Sequence, residues 1–205
     1  MAPDETLVTV IDRRSAPLLL RHLYADGDPG PIVGALAQVP ELCEVTLPFI
    51  GAALGPSSVS LRHKEIAILR TSANLACRYC IDAHTVVAVE SGLTDAEVAL
   101  LRDGDDQHLA AVFDDPDERA LIAWIDALST GRGAIDDSVS EQARRALGEH
   151  RLVELTVTVG ATITLNRLCT GLRLPTSDET IHRLAEIGFE PYRPSTAVSV
   201  AGNGS

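Results

Sequence analysis

Basic charge is scarce in this 205-residue chain: 17 lysines and arginines face 29 aspartates and glutamates, a formal net charge of −12 with the histidines neutral. Affinity for a phosphate backbone or an anionic lipid surface comes from clustered Lys and Arg, so nucleic acid and membrane are not expected partners. No uninterrupted apolar run reaches the ~18–20 residues that span a bilayer. The first residues are acidic and lack the basic start and apolar stretch of a signal peptide, which points to a cytoplasmic protein. Cysteine is sparse as well; four in this length cannot supply a disulfide scaffold. A Rossmann-type Gly-rich fingerprint is missing, which argues against direct use of a nicotinamide cofactor.

Apolar residues make up 45% of the chain, enough for an ordinary core in one fair-sized domain. Helix punctuation recurs. Thr94 and Glu97 form a capping-box pattern, and Ser138 and Glu141 repeat it. Asp115, Pro116 and Glu118 supply an N-cap acceptor, a proline at N1 and an acid at N3. Gly92, Gly148, Gly171 and Gly188 each follow a periodic apolar segment, where a left-handed C′ residue is expected. The pattern predicts an all-α fold with helices near 13–24, 31–38, 40–54, 61–75, 78–91, 95–103, 116–130, 139–147, 150–170 and 178–187, with a kink or break at Pro48. Within 152–165 the β-branched residues favour strand by propensity. The segment is long for a strand and has no turn signal, so helix is predicted. One helical domain over 1–190 is expected, with an active-site half at about 40–110, a second half at about 111–190, and a flexible tail over 191–205.

A weak internal likeness supports two degenerate helical repeats. Aligning Glu65 with Glu154 places Cys77 over Asn166, Arg78 over Arg167, Cys80 over Cys169 and His84 over Arg173. On this reading the second copy keeps the packing and loses the chemistry.

The chemistry-bearing residues are Glu65, Cys77, Tyr79, Cys80 and His84. Cys77 and Cys80 are i,i+3 and Cys80 and His84 are i,i+4, so a helix starting near Cys77 sets all three on one face. A helix N-terminus stabilises a thiolate, and a histidine one turn on can take or return a proton. Were 61–91 one straight helix, Glu65 would lie ~18 Å from Cys77, so the chain must bend near 74–77 for Glu65 to orient His84. A carboxylate on the imidazole would fix its tautomer and raise its basicity.

Glutamate followed twelve residues later by Cys-x-x-Cys-x-x-x-His resembles the active-site signature of the alkylhydroperoxidase D-like branch of the carboxymuconolactone decarboxylase superfamily. The likeness is specific over about 61–92 and extends more weakly over 40–188, through Leu165-Asn-Arg-Leu and Gly171-Leu-Arg-Leu-Pro. It implies an all-helical fold assembled as trimers or hexamers. It also implies a dithiol that reduces a hydroperoxide and is regenerated by a lipoamide-type or other external thiol donor, with no bound cofactor. Carried over by position, Cys80 attacks the peroxide, Cys77 resolves, and Glu65 and His84 relay the proton. Tyr79 stands where the characterised peroxidase has histidine, and a phenol is a poor base near neutrality.

Other readings compete. Two thiols, an imidazole and a carboxylate suit zinc or copper, but three of the four come from one helical stretch, unlike a structural zinc site, and no metal is expected. Cys43 and Cys169 read as buried small hydrophobes, and Trp124 as a core or interface anchor. A non-redox decarboxylase or lactone-type enzyme on the same scaffold is the alternative function. A redox- or metal-responsive binding protein is the third.

Overall fold

The structure, a computed structural model, describes residues 5–103 and 108–193. Among these residues there is no strand. A 3₁₀ segment, Leu18–Tyr24, precedes α1 (Pro31–Leu36), α2 (Pro40–Leu54), α3 (Leu61–Asn74), α4 (Arg78–Glu90), α5 (Asp95–Asp103), α6 (Leu109–Val112), α7 (Pro116–Thr130), α8 (Asp137–Leu172) and α9 (Asp178–Glu186). The cap foreseen at Asp115 accepts a backbone N–H, and Ser60 and Ser177 do the same at the starts of α3 and α9. The box at Thr94 closes reciprocally, with Glu97 N–H donating to Thr94 Oγ1 and Thr94 N–H to Glu97 Oε2.

Details differ from the sequence pattern: the N-cap at the start of α8 is Asp136 instead of Ser138, and the left-handed residue at its end is Arg173 instead of Gly171. The helix predicted over 13–24 is only the 3₁₀ segment, because Asp12 Oδ1 accepts from both the amide and hydroxyl of Ser15 and holds a turn ahead of Pro17. Pro48 does not break α2; it and Glu44 lie exposed, so the carbonyl left without a partner faces solvent. Gly148, by contrast, is left-handed (φ 69°) as expected and kinks the run, so the helices predicted at 139–147 and 150–170 both form within Asp137–Leu172.

The β-branched stretch is helical, as predicted. Thr156, Thr158, Thr162 and Thr164 each turn their hydroxyl back to the carbonyl four residues earlier. Leu155, Val159 and Ala161 are buried on the inner face of α8. Length and hydropathy would let α8 cross a membrane, but here it packs on α3 and α7 as a core helix.

The main core joins α3, α4, α5, α7 and α8 through Ile66, Leu69, Ile81, Leu101, Ile122 and Leu155, all essentially inaccessible. Each such side chain contributes roughly 1.5–3 kcal/mol on burial. Polar ties position α3 within it. Arg62 bridges Glu97 and Glu118, joining α3 to α5 and α7. Lys64 is fully buried and donates to the carbonyl oxygens of Gly55 (2.6 Å) and Ala53 (3.3 Å), with Glu154 at 2.9 Å. Trp124 is half-buried and donates to Thr156 across the α7–α8 contact.

The internal likeness does not extend to the backbone. The run containing Glu65 and Cys77 breaks between α3 and α4, whereas Glu154 and Asn166 share the helix that continues beyond Gly148. At the other end, Tyr192 N–H donates to the buried Asp82 and Tyr192 packs on the main core, so the chain is anchored within the stretch expected to be a flexible tail. The rest of that expected tail, 194–205, lies outside the described residues.

Candidate active site

The bend that Glu65 required is a three-residue reversal. Ala76 takes a left-handed conformation (φ 49°), Ala76 N–H donates to Ala73 and Cys77 N–H to Ser72. This is a Schellman closure with alanine where glycine is usual. It folds α4 back on α3 and leaves Cys77 as the N-cap residue of α4. Glu65 and His84, nineteen residues apart, then meet: Nδ1 of His84 lies 2.9 Å from Oε2 of Glu65. Glu65 is buried and His84 keeps a quarter of its side-chain surface exposed, so Nε2 is the ring nitrogen left to exchange a proton with a substrate.

Cys77 and Cys80 are buried with their sulfurs 2.7 Å apart. A third sulfur joins them. Cys169, in the last turn of α8, has its Sγ within 4.8 Å of both. The reading of Cys169 as an inert hydrophobe is therefore incomplete: it is buried, but among thiols. The signal was present in the internal likeness, which pairs it with Cys80. Cys43 lies in a separate apolar cluster with Leu20, Tyr24 and Leu36, as expected of a buried hydrophobe.

The three thiols are not equivalent. Hydrogen bonds from the Cys169 and Cys80 thiols, aided by the Cys80 amide, outweigh burial and hold Cys77 far below the ordinary thiol range. The start of α4 acts in the same sense. Cys80 and Cys169 move the other way, because each hydrogen-bonds to a sulfur in a buried site. The surroundings thus favour the thiolate at Cys77 over the other two sulfurs. The likeness in sequence assigns attack to Cys80, whereas the resting charge belongs on Cys77. Tyr79 lies half-buried beside them; burial, reinforced by the three cysteines, pushes its phenol up to about 12, which disqualifies it as a base near neutrality.

α8 ends as α3 does. Arg173 is left-handed (φ 55°), its N–H donates to Thr170, and Leu174 N–H donates to Cys169. Ala76 and Arg173 are the described non-glycine residues with positive φ, and both border one cleft of about 530 Å³. Cys77, Tyr79 and Cys169 also line that cleft; Cys80, Glu65 and His84 do not. Backbone strain of this kind concentrates at functional sites. The N-terminal segment closes another side: Val8, Val10 and Leu172 pack against the cysteines, and Leu7 N–H donates to Leu172. Gly34 permits that approach, since a Cβ there would lie 2.5 Å from Val10.

Residues 40–127 match the carboxymuconolactone decarboxylase family. No curated protein matches the chain by sequence. Among solved structures, a protein of unknown function from Agrobacterium tumefaciens, described as a candidate antioxidant defence protein AhpD, is 26% identical, with a TM-score of 0.62 over 69% of this chain and 94% of that one. An uncharacterized peroxidase-related protein from Silicibacter is 16% identical, with a TM-score of 0.73 over 88% of this chain and 96% of that one. The debrominase Bmp8, solved as a cysteine-to-alanine variant with 2,3,4-tribromopyrrole, is 16% identical, with a TM-score of 0.69 over 89% of this chain and all of that one.

Proposed function

We propose that this chain, a member of the alkylhydroperoxidase D-like branch of the carboxymuconolactone decarboxylase superfamily, is a dithiol peroxidase that reduces organic hydroperoxides. The observation that carries the reading is the joining of a Cys-x-x-Cys pair at the start of α4 to a Glu65–His84 pair on the same hairpin. His84, held through Nδ1 by Glu65, takes the Cys80 proton at Nε2. The Cys80 sulfur then attacks the peroxide, the O–O bond breaks, and the alcohol leaves with that proton. The resulting Cys80 sulfenic acid is attacked by the Cys77 thiolate, which forms the disulfide and releases hydroxide, protonated to water. An external dithiol, of lipoamide or similar type, restores both thiols by exchange at Cys77, which faces the cleft.

The resting thiolate on Cys77 supports the division of labour. A low-pKa sulfur is present as thiolate for the resolving step and is a good leaving group when the second sulfur of the dithiol closes on the mixed disulfide. Tyr79 shapes the site by packing against the cysteines and is not a relay base. No resident metal or cofactor is required, since the electrons come from the dithiol. A reducing, cytoplasmic setting keeps the four cysteines as thiols. Leu42, Val45 and Phe49 expose an apolar stripe along α2, which supports assembly with further copies into the trimer or hexamer expected from the likeness.

The test is a single turnover. The protein is fully reduced, one equivalent of cumene hydroperoxide is added, and the thiols are mapped after a rapid quench. A Cys77–Cys80 disulfide formed much faster than oxidation of Cys43 is expected. Slow, unselective oxidation would sink the reading. Activity on a lactone or carboxylic-acid substrate that survives a Cys77→Ser, Cys80→Ser double change would favour the non-redox alternative.

A further inference from the structure

We infer that Cys169 is a third redox thiol, which takes the disulfide from the Cys77–Cys80 pair and presents it as Cys77–Cys169 on the cleft between α4 and the end of α8. The proposal rests on the dithiol reading only for the origin of the first disulfide.

The three sulfurs form one cluster, each within reach of the other two. Cys80 approaches Cys77 from one turn along α4, and Cys169 from the last turn of α8, each sulfur within 4.8 Å of the others. The cleft is lined by Cys77 and Cys169 and not by Cys80. A disulfide kept within the Cys-x-x-Cys pair therefore has one sulfur off the cleft, whereas Cys77–Cys169 has both on it. The exchange balances without an outside reagent. The Cys169 sulfur attacks Cys77, the Cys77–Cys80 bond breaks, the Cys77–Cys169 bond forms, and the Cys169 proton ends on Cys80. Cys80 is thereby returned reduced beside His84 while the oxidising equivalent waits where a reductant can enter. The new bond also ties the start of α4 to the end of α8, which a bridge within one helical turn does not.

A soft metal ion is the competing occupant of three sulfurs. Such an ion would deprotonate the thiols it bound, so chelator is kept present in the test. The exchange needs a single thiolate, formed on Cys169 as its proton passes to Cys80.

Trypsin separates the players. Cleavage at Arg70, Arg78, Arg102, Arg167 and Arg173 places Cys77 on peptide 71–78, Cys80 on 79–102 and Cys169 on 168–173. The full-length protein, reduced in chelator-containing buffer, is treated with one equivalent of cumene hydroperoxide or of diamide, quenched in acid over a time course and digested without reduction. The expected result is a 71–78/79–102 cross-link that declines as a 71–78/168–173 cross-link rises, the latter lost in Cys169→Ser. With diamide, Cys80→Ser should form the 71–78/168–173 cross-link directly. Absence of that cross-link in the unmodified protein with both oxidants overturns the proposal, even if Cys77–Cys80 forms and the peroxidase reading stands. If diamide yields Cys77–Cys169 while hydroperoxide oxidises nothing selectively, the third thiol stands and the peroxidase reading falls.

Discussion

Glu65 Oε2 lies 2.9 Å from Nδ1 of His84, joining two helices that a single reversed residue, Ala76, folds together. The carboxylate is buried and the imidazole partly exposed, the arrangement in which a hydrogen bond sets which ring nitrogen is free. If His84 manages the proton of Cys80, His84→Gln lowers the rate of disulfide formation with hydroperoxide by about 10²–10⁴-fold. Glu65→Gln lowers it by a smaller factor, since the imidazole is still present. Stopped-flow measurement on reduced protein checks both; unchanged rates would remove the pair from the mechanism.

The charge on Cys77 is open to direct observation. An ordinary thiol titrates near pH ~8.5, whereas Cys77 is held far below by the Cys169 and Cys80 thiols. Ultraviolet absorbance of the reduced protein should therefore retain the equivalent of one thiolate at about pH 6, where free thiols are protonated. Cys77→Ser abolishes that signal. Cys169→Ser removes a donor and moves the Cys77 transition to higher pH. A titration with no thiolate below the ordinary range would contradict the assignment.

Ala76 is exposed and left-handed, so its methyl adds strain without packing. An L-residue in that region costs roughly 1–2 kcal/mol, and glycine gives back roughly 0.5–1 through its freer unfolded chain. Ala76→Gly should stabilise the protein by up to about 1 kcal/mol, and Ala76→Val should destabilise it. Denaturant melts decide the matter; a less stable glycine variant would mean that the turn is not strained.

Lys64, the single lysine of the chain, is fully buried against two helix-end carbonyls and Glu154. Replacing it with methionine leaves Gly55 without this donor, while Ala53 keeps Thr158 and Glu154 keeps Ser57, and a loss of about 1–3 kcal/mol is expected in chemical denaturation. Full stability of Lys64→Met would show the contact to be dispensable.

Much of this protein was legible along the chain because its determinants are local. Caps at Ser60, Thr94, Asp115 and Ser177 satisfy amides within a few residues, so helix starts can be read directly. The i,i+3 and i,i+4 spacings of Cys77, Cys80 and His84 define one helix face, and the need for a bend before Cys77 follows from helix rise alone. The lost helix before Leu18 turned on a side-chain bond from Asp12 that competes with helix, a contest that propensity does not resolve.

What tertiary structure decided is everything that depends on elements meeting across the chain. Cys169 is ninety-two residues from Cys77 in sequence, and only the packing of α8 against the α3–α4 hairpin makes it a member of the thiol cluster. The distribution of charge among the three sulfurs follows from that meeting, since a thiol's pKa responds to the donors and the burial around it and not to its place in a motif. The sequence by itself determined the helices and the Glu-Cys-Cys-His set, because spacing and capping act over one or two turns. Which sulfur holds the charge, and which third thiol stands beside it, required the fold.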